Sequence, residues 1–480
     1  RSLALAGIVT ALMAISGALI ILPAVLAISG PNIDRFNVLS VFRRRRAGAT
    51  PAVPFFRRMA ELVVRYPLPI ALGTLALLVI LALPMFKMRL GVSDYRILPS
   101  ESPVREGYEV LVRGFGTGVA EPLKIAYQAP DLGTPEGIGR FWDYVHRQVE
   151  TRPGIAKDPQ GIAEVQSVVT VLDSRLAGTP PEQQRAIYQA VLPWALTIRD
   201  PAQLATPPNS GLRRDELEAV ITLRDAAIKG DTALVEVSPA GNPQSATARA
   251  LVRDLRESAN RPPGPARALI GGTPAQTLDY IRQVTQNIPW MVLFIFVLTY
   301  LVLWALLGSL TLPLIGFVLN VVSLGASFGA VVFIFQEGNF ADVLRFSKLE
   351  QLDATVPVTL FAVAFALSMD YQVFLLSRIR EEYDRTGEVK AGIVNGLSHT
   401  AGIITGAALT LLAVLAAYGT ASNALVKSLT VGMFIAVLVD ATIVRTFLVP
   451  AVLQLFGKWA WYSPPAVTRA WKRLGLAERG

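Results

Sequence analysis

Seven stretches of this chain are each about twenty residues or more and nearly free of charge, which is what a helix needs to fill the ~30 Å hydrocarbon core of a bilayer. They cover residues 3–29, 68–86, 289–308, 311–335, 356–377, 400–420 and 428–455. No water is available in lipid, so the backbone of each run must satisfy its own hydrogen bonds, and an α-helix does so within one segment. The fold class that follows is an α-helical polytopic membrane protein with about seven spans. Composition agrees, with 52% hydrophobic and only 17% charged residues. Between the second and third runs, residues 87–288 have an ordinary soluble composition rich in turn formers, and they read as a separate folded domain.

Lysine and arginine collect on the cytoplasmic flanks of membrane spans. If each run crosses once, residues 30–67, 378–399 and 456–480 share a side, and together they hold 17 basic against 7 acidic residues. The stretch 87–288 holds 23 of each. The basic side is therefore the cytoplasmic one and the large domain lies outside. Topology then accounts for most of the sequence pI near 9.8, with contact to anionic membrane lipids in addition, and nucleic acid is not needed as a partner. Within the first inner segment, PFFRRMAELVVRY (54–66) reads as an amphipathic helix lying along the inner leaflet.

In the domain, β-rich runs alternate with amphipathic helical patterns. Strands are expected at 122–127, 165–172, 233–237 and 267–270, and helices at 135–151, 181–198, 245–260 and 274–287. The order β-α-β, a helical insert near 174–230, then β-α-β predicts an α+β domain of split βαβ, ferredoxin-like type.

One acid stands inside a span. The segment FALSMDYQVFLLSRIREEYDR (365–385) places Asp370 in a run otherwise free of charge from 356 to 377. A charge at the bilayer centre is costly, so such residues face a protein interior and mark ion or proton paths. Burial raises a carboxyl pKa and a nearby cation lowers it, so a change of conformation can load or release a proton. The last run carries Asp440 and Arg445 in VLVDATIVRTFLV. Five positions apart on an α-helix is about 140° of rotation, which predicts pairing across helices rather than with each other. Asp370 and Tyr371 likewise point about 100° apart. The bland reading makes these residues packing anchors. The cluster RIREEYDR (378–385) reads as a solvated cap, and the spacings Gly325/Gly329 and Gly402/Gly406 as close helix contacts.

Other chemistry is thinly represented. There is no cysteine, and the two histidines are His146 and His399, so thiolate nucleophiles and multi-histidine metal centres are nearly excluded and no cofactor is expected. GFGTG (114–118) lacks the Lys-Ser/Thr of a phosphate loop, and with no such motif anywhere ATP is not the fuel. A hydrolase would need a serine, histidine and acid assembled around His146 alone, so no enzyme is expected.

Four segments, LSMDYQVFLLSRIREEYDRTGE, LVDATIVRTFLVPAVL, SDYRILPSESPVREGYEVLVRGFGTGVAEP and GGTPAQTLDYIRQ, resemble the MMPL family of the resistance-nodulation-division superfamily. The resemblance implies twelve spans in two repeats of six, each with an extracytoplasmic porter domain after its first span. This chain then looks like the last span of the first repeat (1–29), a cytoplasmic linker (30–67), a span (68–86), the porter domain (87–288), a five-span bundle (289–457) and a cytoplasmic tail (458–480). The echo between LPAVLAISG (22–30) and VPAVLQLFG (449–457) fits two closing helices. It also implies that Asp370 and Tyr371 are the acid–tyrosine pair of a proton relay, joined by Asp440 and Arg445. The expected function is proton-motive-force-driven export of a lipid or other hydrophobic molecule across the bacterial inner membrane. The expected partners are that substrate, membrane lipids and the N-terminal half, with homo-oligomer formation left open. The alternative is a non-transporting scaffold or lipid-binding protein of the same fold, which would tolerate Asp370→Asn.

Overall fold

The computed structural model describes residues 2–29, 53–116, 121–157, 164–173, 175–198, 213–258, 261–262, 264–465 and 469. Seven of the described helices are long and apolar enough to cross a membrane: Gly7–Ile28, Pro67–Lys87, Thr273–Leu307, Thr311–Gln336, Thr355–Thr386, Val389–Gly419 and Ala424–Trp461. The first lies in a unit formed by residues 1–58, where helix Ser2–Ser16 continues through a π-turn into Leu22–Ser29. The other six belong to the unit 59–480.

Within that unit the fourth and seventh spans are the most enclosed, 56% buried over their apolar windows against 11% for the second and third. Small residues let the fourth span sit so deep. A Cβ on Gly329 would lie 1.9 Å from the Leu81 carbonyl oxygen, so glycine is what allows the second and fourth spans to touch backbone to backbone. At Gly402 and Gly406 a Cβ would meet nothing within 4 Å, and that pair makes no such contact among the described residues. The seventh span starts earlier than its sequence suggests. Asn423 caps it by accepting from the Leu425 and Val426 amides, and the ammonium group of the buried Lys427 donates hydrogen bonds to the carbonyls of Leu344 and Arg345.

Seven strands are described: β1 Leu90–Gly91, β2 Leu123–Gln128, β3 Val165–Gln166, β4 Ile228–Lys229, β5 Thr232–Val237, β6 Arg267–Gly272 and β7 Leu352–Asp353. The middle five form one antiparallel sheet in the order β3-β5-β2-β6, with β4 also on β5. Leu123, Ile125 and Tyr127 of β2 and Ala233, Val235 and Val237 of β5 are all buried, so the two-residue period gives the sheet one apolar face. Helices Pro135–Asp143, Pro181–Thr197 and Ala246–Ser258 supply Phe141, Tyr188, Leu192, Val252 and Leu255 to the same core. Each helical crossover spans an intervening strand: β5 lies between β2 and β3, and β2 between β5 and β6.

Two expectations need correction here. The strand read at 165–172 pairs only at Val165 and Gln166. Beyond it the Thr170 hydroxyl donates to the Val165 carbonyl (3.0 Å) and accepts from the Ser167 amide (2.9 Å), and Ser167 Oγ accepts from Val169 (3.2 Å), so hydroxyls take the backbone's partners and the chain turns. The helix read at 274–287 has no end of its own. Thr273–Leu307 is one helix of 35 residues, running past position 288 and starting directly after β6. Gly272 makes that junction at φ +90°, where a Cβ would lie 2.6 Å from the Pro122 carbonyl.

The sheet and the membrane bundle meet at one end. β1 pairs in parallel with β7, Asn242 Nδ2 donates to Asp94 (2.9 Å), and Arg249 donates to Gln351 (2.9 Å). Arg96 joins Asp94 (2.6 Å) to Glu350 (2.9 Å). Burial works to raise the Asp94 pKa, but the hydrogen bond and charge of Arg96 outweigh it and hold the carboxyl below its ordinary value. At the opposite end Ser309 donates to the Ala460 carbonyl (2.9 Å) and Tyr383 stacks on Trp461 at 5.2 Å. Helix Val53–Arg65 buries Ala60, Val63 and Val64, and Val63 packs with Ala71 and Ala451, so protein rather than lipid takes this part of its apolar face.

Candidate functional site

The membrane-buried charges are arranged by an irregularity in the seventh span. From Asp440 to Leu448 it is a π-helix. Bonds from i to i+5 widen the turn and bring residues five apart close to one face. Asp440 and Arg445, expected to pair across helices, instead pair with each other: the guanidinium Nη2 donates to Asp440 Oδ2. Both are buried, at 6% and 3% exposure.

The fourth and fifth spans complete the cluster. Ser368 Oγ lies 2.9 Å from Asp440 Oδ1 and 2.8 Å from Asn320 Oδ1, and Arg445 Nη2 also donates to the Ser368 carbonyl at 3.2 Å. A hydroxyl has one proton, so it cannot donate to both oxygens. The Asn320 amide is fixed by its Nδ2 donating to Met369 Sδ (2.8 Å), so the Ser368 hydroxyl proton serves one of the two oxygens at a time. The Tyr371 ring lies under the Arg445 guanidinium, 4.5 Å from Cζ to centroid. Arg445 Nε and Nη1 have no hydrogen-bond acceptor among the described residues, and this aromatic face is what shields them. Ser368, Tyr371, Ala436 and Asp440 border a cavity of about 10 Å³, the size of about one water.

Asp370 lies apart from this cluster. One residue before Tyr371, it points out of the bundle, exposed, and makes no hydrogen bond or ion pair among the described residues. Of the four residues singled out in the sequence, the fold brings Tyr371, Asp440 and Arg445 together and leaves Asp370 on the outer face of the fifth span. Sequence reasoning missed Ser368 and Asn320. A signal was present: Asn320, Ser323 and Ser327 recur at helical spacing on the buried face of the fourth span, a polar stripe inside an apolar helix.

A larger cleft opens between the third and fifth spans where they meet the sheet domain. It encloses about 450 Å³, lined by Tyr280, Val284, Ile288, Met291, Thr355 and Val358 among others, and its walls are mainly apolar.

Known proteins are similar to this chain in sequence. The mycolic acid-containing lipids exporter MmpL11 of Mycolicibacterium smegmatis is 28% identical over 465 residues, 96% of this chain and 42% of its own length. The heme uptake protein MmpL11 of Mycobacterium tuberculosis is 28% identical over 466 residues, 97% and 41% of the two chains. The trehalose monomycolate exporter MmpL3 of Mycolicibacterium smegmatis is 27% identical over 507 aligned positions, 100% and 44%. The chain thus spans less than half the length of each of these relatives. The sequence model of the MMPL family matches residues 149–479, and with seven candidate spans around the match the chain is a multi-pass membrane protein belonging to that family.

Proposed function

We propose that the protein to which these residues belong is a secondary transporter, driven by the proton-motive force, that exports a lipid or other hydrophobic molecule across a bacterial inner membrane. The observation that carries the reading is the Asp440–Arg445 pair inside the bundle, tied through Ser368 to Asn320 and roofed by Tyr371. Neutralising Asp440 by protonation strands the Arg445 charge in a low-dielectric interior, so protonation and rearrangement of the three helices are energetically linked. Asp370 acts with this cluster. Its exposure on the bundle face and the greater length of the relatives support a further helix covering it in the whole protein. One charge crossing ~100 mV releases ~2.3 kcal/mol, to which the pH gradient adds.

The sheet domain is the extracytoplasmic porter of this reading, a split βαβ unit of ferredoxin-like type, and the 17 to 7 basic excess on the opposite flanks supports its placement. The apolar 450 Å³ cleft beneath it is within the usual range for a small-molecule site and would admit an acyl chain from the outer leaflet. Two relatives are named as lipid exporters and one as a heme uptake protein; the shared chemistry is a hydrophobic cargo.

A static anchor is the second reading, favoured by the closed, direct contact of Asp440 with Arg445. Proteoliposomes of the full-length protein, loaded with the host's lipid extract and given a pH gradient, separate the two. Gradient-dependent lipid release that Asp370→Asn abolishes, with expression intact, supports the transporter. Wild-type release by that variant would leave the anchor and scaffold reading standing.

A further inference from the structure

The sheet domain holds a second cluster of ionisable groups, remote from the membrane pair and unused by the proposed transport. His146 and Glu150 lie four residues apart on the helical segment that follows Pro135, at and just after its π-helical end Tyr144–Val149, and Asp173 comes from the turn beyond β3. One ligand atom from each lies within 4.8 Å of the others.

The orientation of the histidine is fixed from behind. His146 Nδ1 is 3.1 Å from the Trp142 carbonyl, which can only accept, so the ring proton sits on Nδ1. In the neutral ring the lone pair of Nε2 then faces Asp173 Oδ2 at 3.2 Å. A lone pair against a carboxylate is repulsive unless a cation lies between them. Asp173 is also held from its far side: Tyr188 donates its hydroxyl proton to Oδ1 (3.2 Å) while its oxygen accepts from the Leu172 amide (2.8 Å). The Trp142 indole stacks on the imidazole, 4.2 Å between centroids, and fixes the ring plane. Such outer hydrogen bonds are what set the tautomer and aim of ligands at metal centres. Glu150, partly buried beside the other two, makes no side-chain hydrogen bond or ion pair among the described residues.

We propose that His146, Glu150 and Asp173 form a binding site for one divalent transition-metal ion of the Zn²⁺ class. Two ligands at Zn–N and Zn–O lengths of ~2.0–2.1 Å in tetrahedral geometry sit about 3.3 Å apart, and the histidine and aspartate already stand at 3.2 Å. Glu150 closes the set by a side-chain shift of at most about 1.5 Å from its 4.8 Å limit. One imidazole nitrogen with two carboxylate oxygens leaves a fourth position for water, and the nitrogen favours Zn²⁺ over Mg²⁺ or Ca²⁺. The ion ties the helix covering the sheet to the turn that ends β3, which is held otherwise by hydroxyl bonds.

The test uses the 480-residue chain purified in detergent and stripped with chelator, titrated with ZnCl₂ in a calorimeter. With two histidines and no cysteine in the chain, the assignment is direct. Expected are one Zn²⁺ per chain at about micromolar affinity, a loss of about 100-fold in His146→Gln, unchanged binding in His399→Gln, and no competition from millimolar Mg²⁺. Co²⁺ added to the wild-type chain should give visible d–d bands that Zn²⁺ removes, a reading independent of whether His146→Gln folds. Absent Zn²⁺ binding with absent Co²⁺ bands would mean that a second ring proton is the only cation here and overturn the proposal, as would equal binding by His146→Gln or loss in His399→Gln.

Discussion

Replacing Gly329 by alanine tests how the bundle is held together. The new methyl would start 1.9 Å from the Leu81 carbonyl oxygen and 2.9 Å from Ala82 Cα. These are backbone atoms, which no rotamer change can move aside. Reaching an ordinary carbon–oxygen contact of about 3.2 Å means parting the second and fourth spans by roughly 1.3 Å, and a gap of 0.5–1 Å already forfeits a quarter to a half of each dispersion contact across it. Overpacking costs of ~1–3 kcal/mol are usual, and rigid backbone neighbours place this site at the upper end. Alanine returns ~1 kcal/mol of helix propensity. The net loss is about 2 kcal/mol, a factor of ~30 in the folded population. Gly402→Ala and Gly406→Ala gain the same propensity and meet nothing within 4 Å, so they should be neutral or stabilising. Heating the detergent-purified variants and following the monodisperse peak by fluorescence-detected size exclusion should rank Gly329→Ala clearly below wild type and both controls at or above it. A Gly329→Ala protein that survives as well as Gly402→Ala would refute the close-contact reasoning.

Arg445→Ala leaves Asp440 buried without its cation and should cost ~3–5 kcal/mol by the same heating assay, whereas Asp440→Asn with Arg445→Met should recover most of that stability. Because the chain has no cysteine, Glu136→Cys and Lys390→Cys can each be labelled singly; an impermeant maleimide on intact cells should reach the first and not the second. Asp94 has a folded-state pKa below its unfolded value near 3.9, so its stabilising effect is present above about pH 4 and is lost as pH falls through the lowered value. The thermal midpoint should therefore drop on acidification below about pH 4, and less steeply in Asp94→Asn.

The spans were legible because a bilayer demands long apolar runs, and nothing else in a chain looks like them. The strands Leu123–Gln128 and Thr232–Val237 were legible from alternation, since one face packs and the other does not. What escaped depended on local hydrogen bonding. Ser167 and Thr170 stop a strand whose residues favour β, through hydroxyl contacts that no periodicity reports. The Asp440–Arg445 contact was hidden because the α-helical angle was assumed where the backbone adopts a π-turn. Lys427 ended the apolar run in sequence yet lies within the helix, because carbonyls from a loop some eighty residues away take up its charge.

The unbroken helix Thr273–Leu307 has a mechanical consequence. At 1.5 Å per residue its 35 residues span about 52 Å, with Pro289 near the midpoint, where the ring removes one backbone hydrogen bond and makes a natural bend point. Its first residue follows β6 with only the tight Gly272 junction between, so there is no slack linker to absorb movement. A bend of about 10° at Pro289 displaces the tip at Thr273, about 24 Å away, by roughly 4 Å, and the edge strand of the sheet must follow. Pro289 thus stands where a small change of bend within the membrane would reach the domain as an ångström-scale displacement, with the Thr273–Ile288 half as the lever.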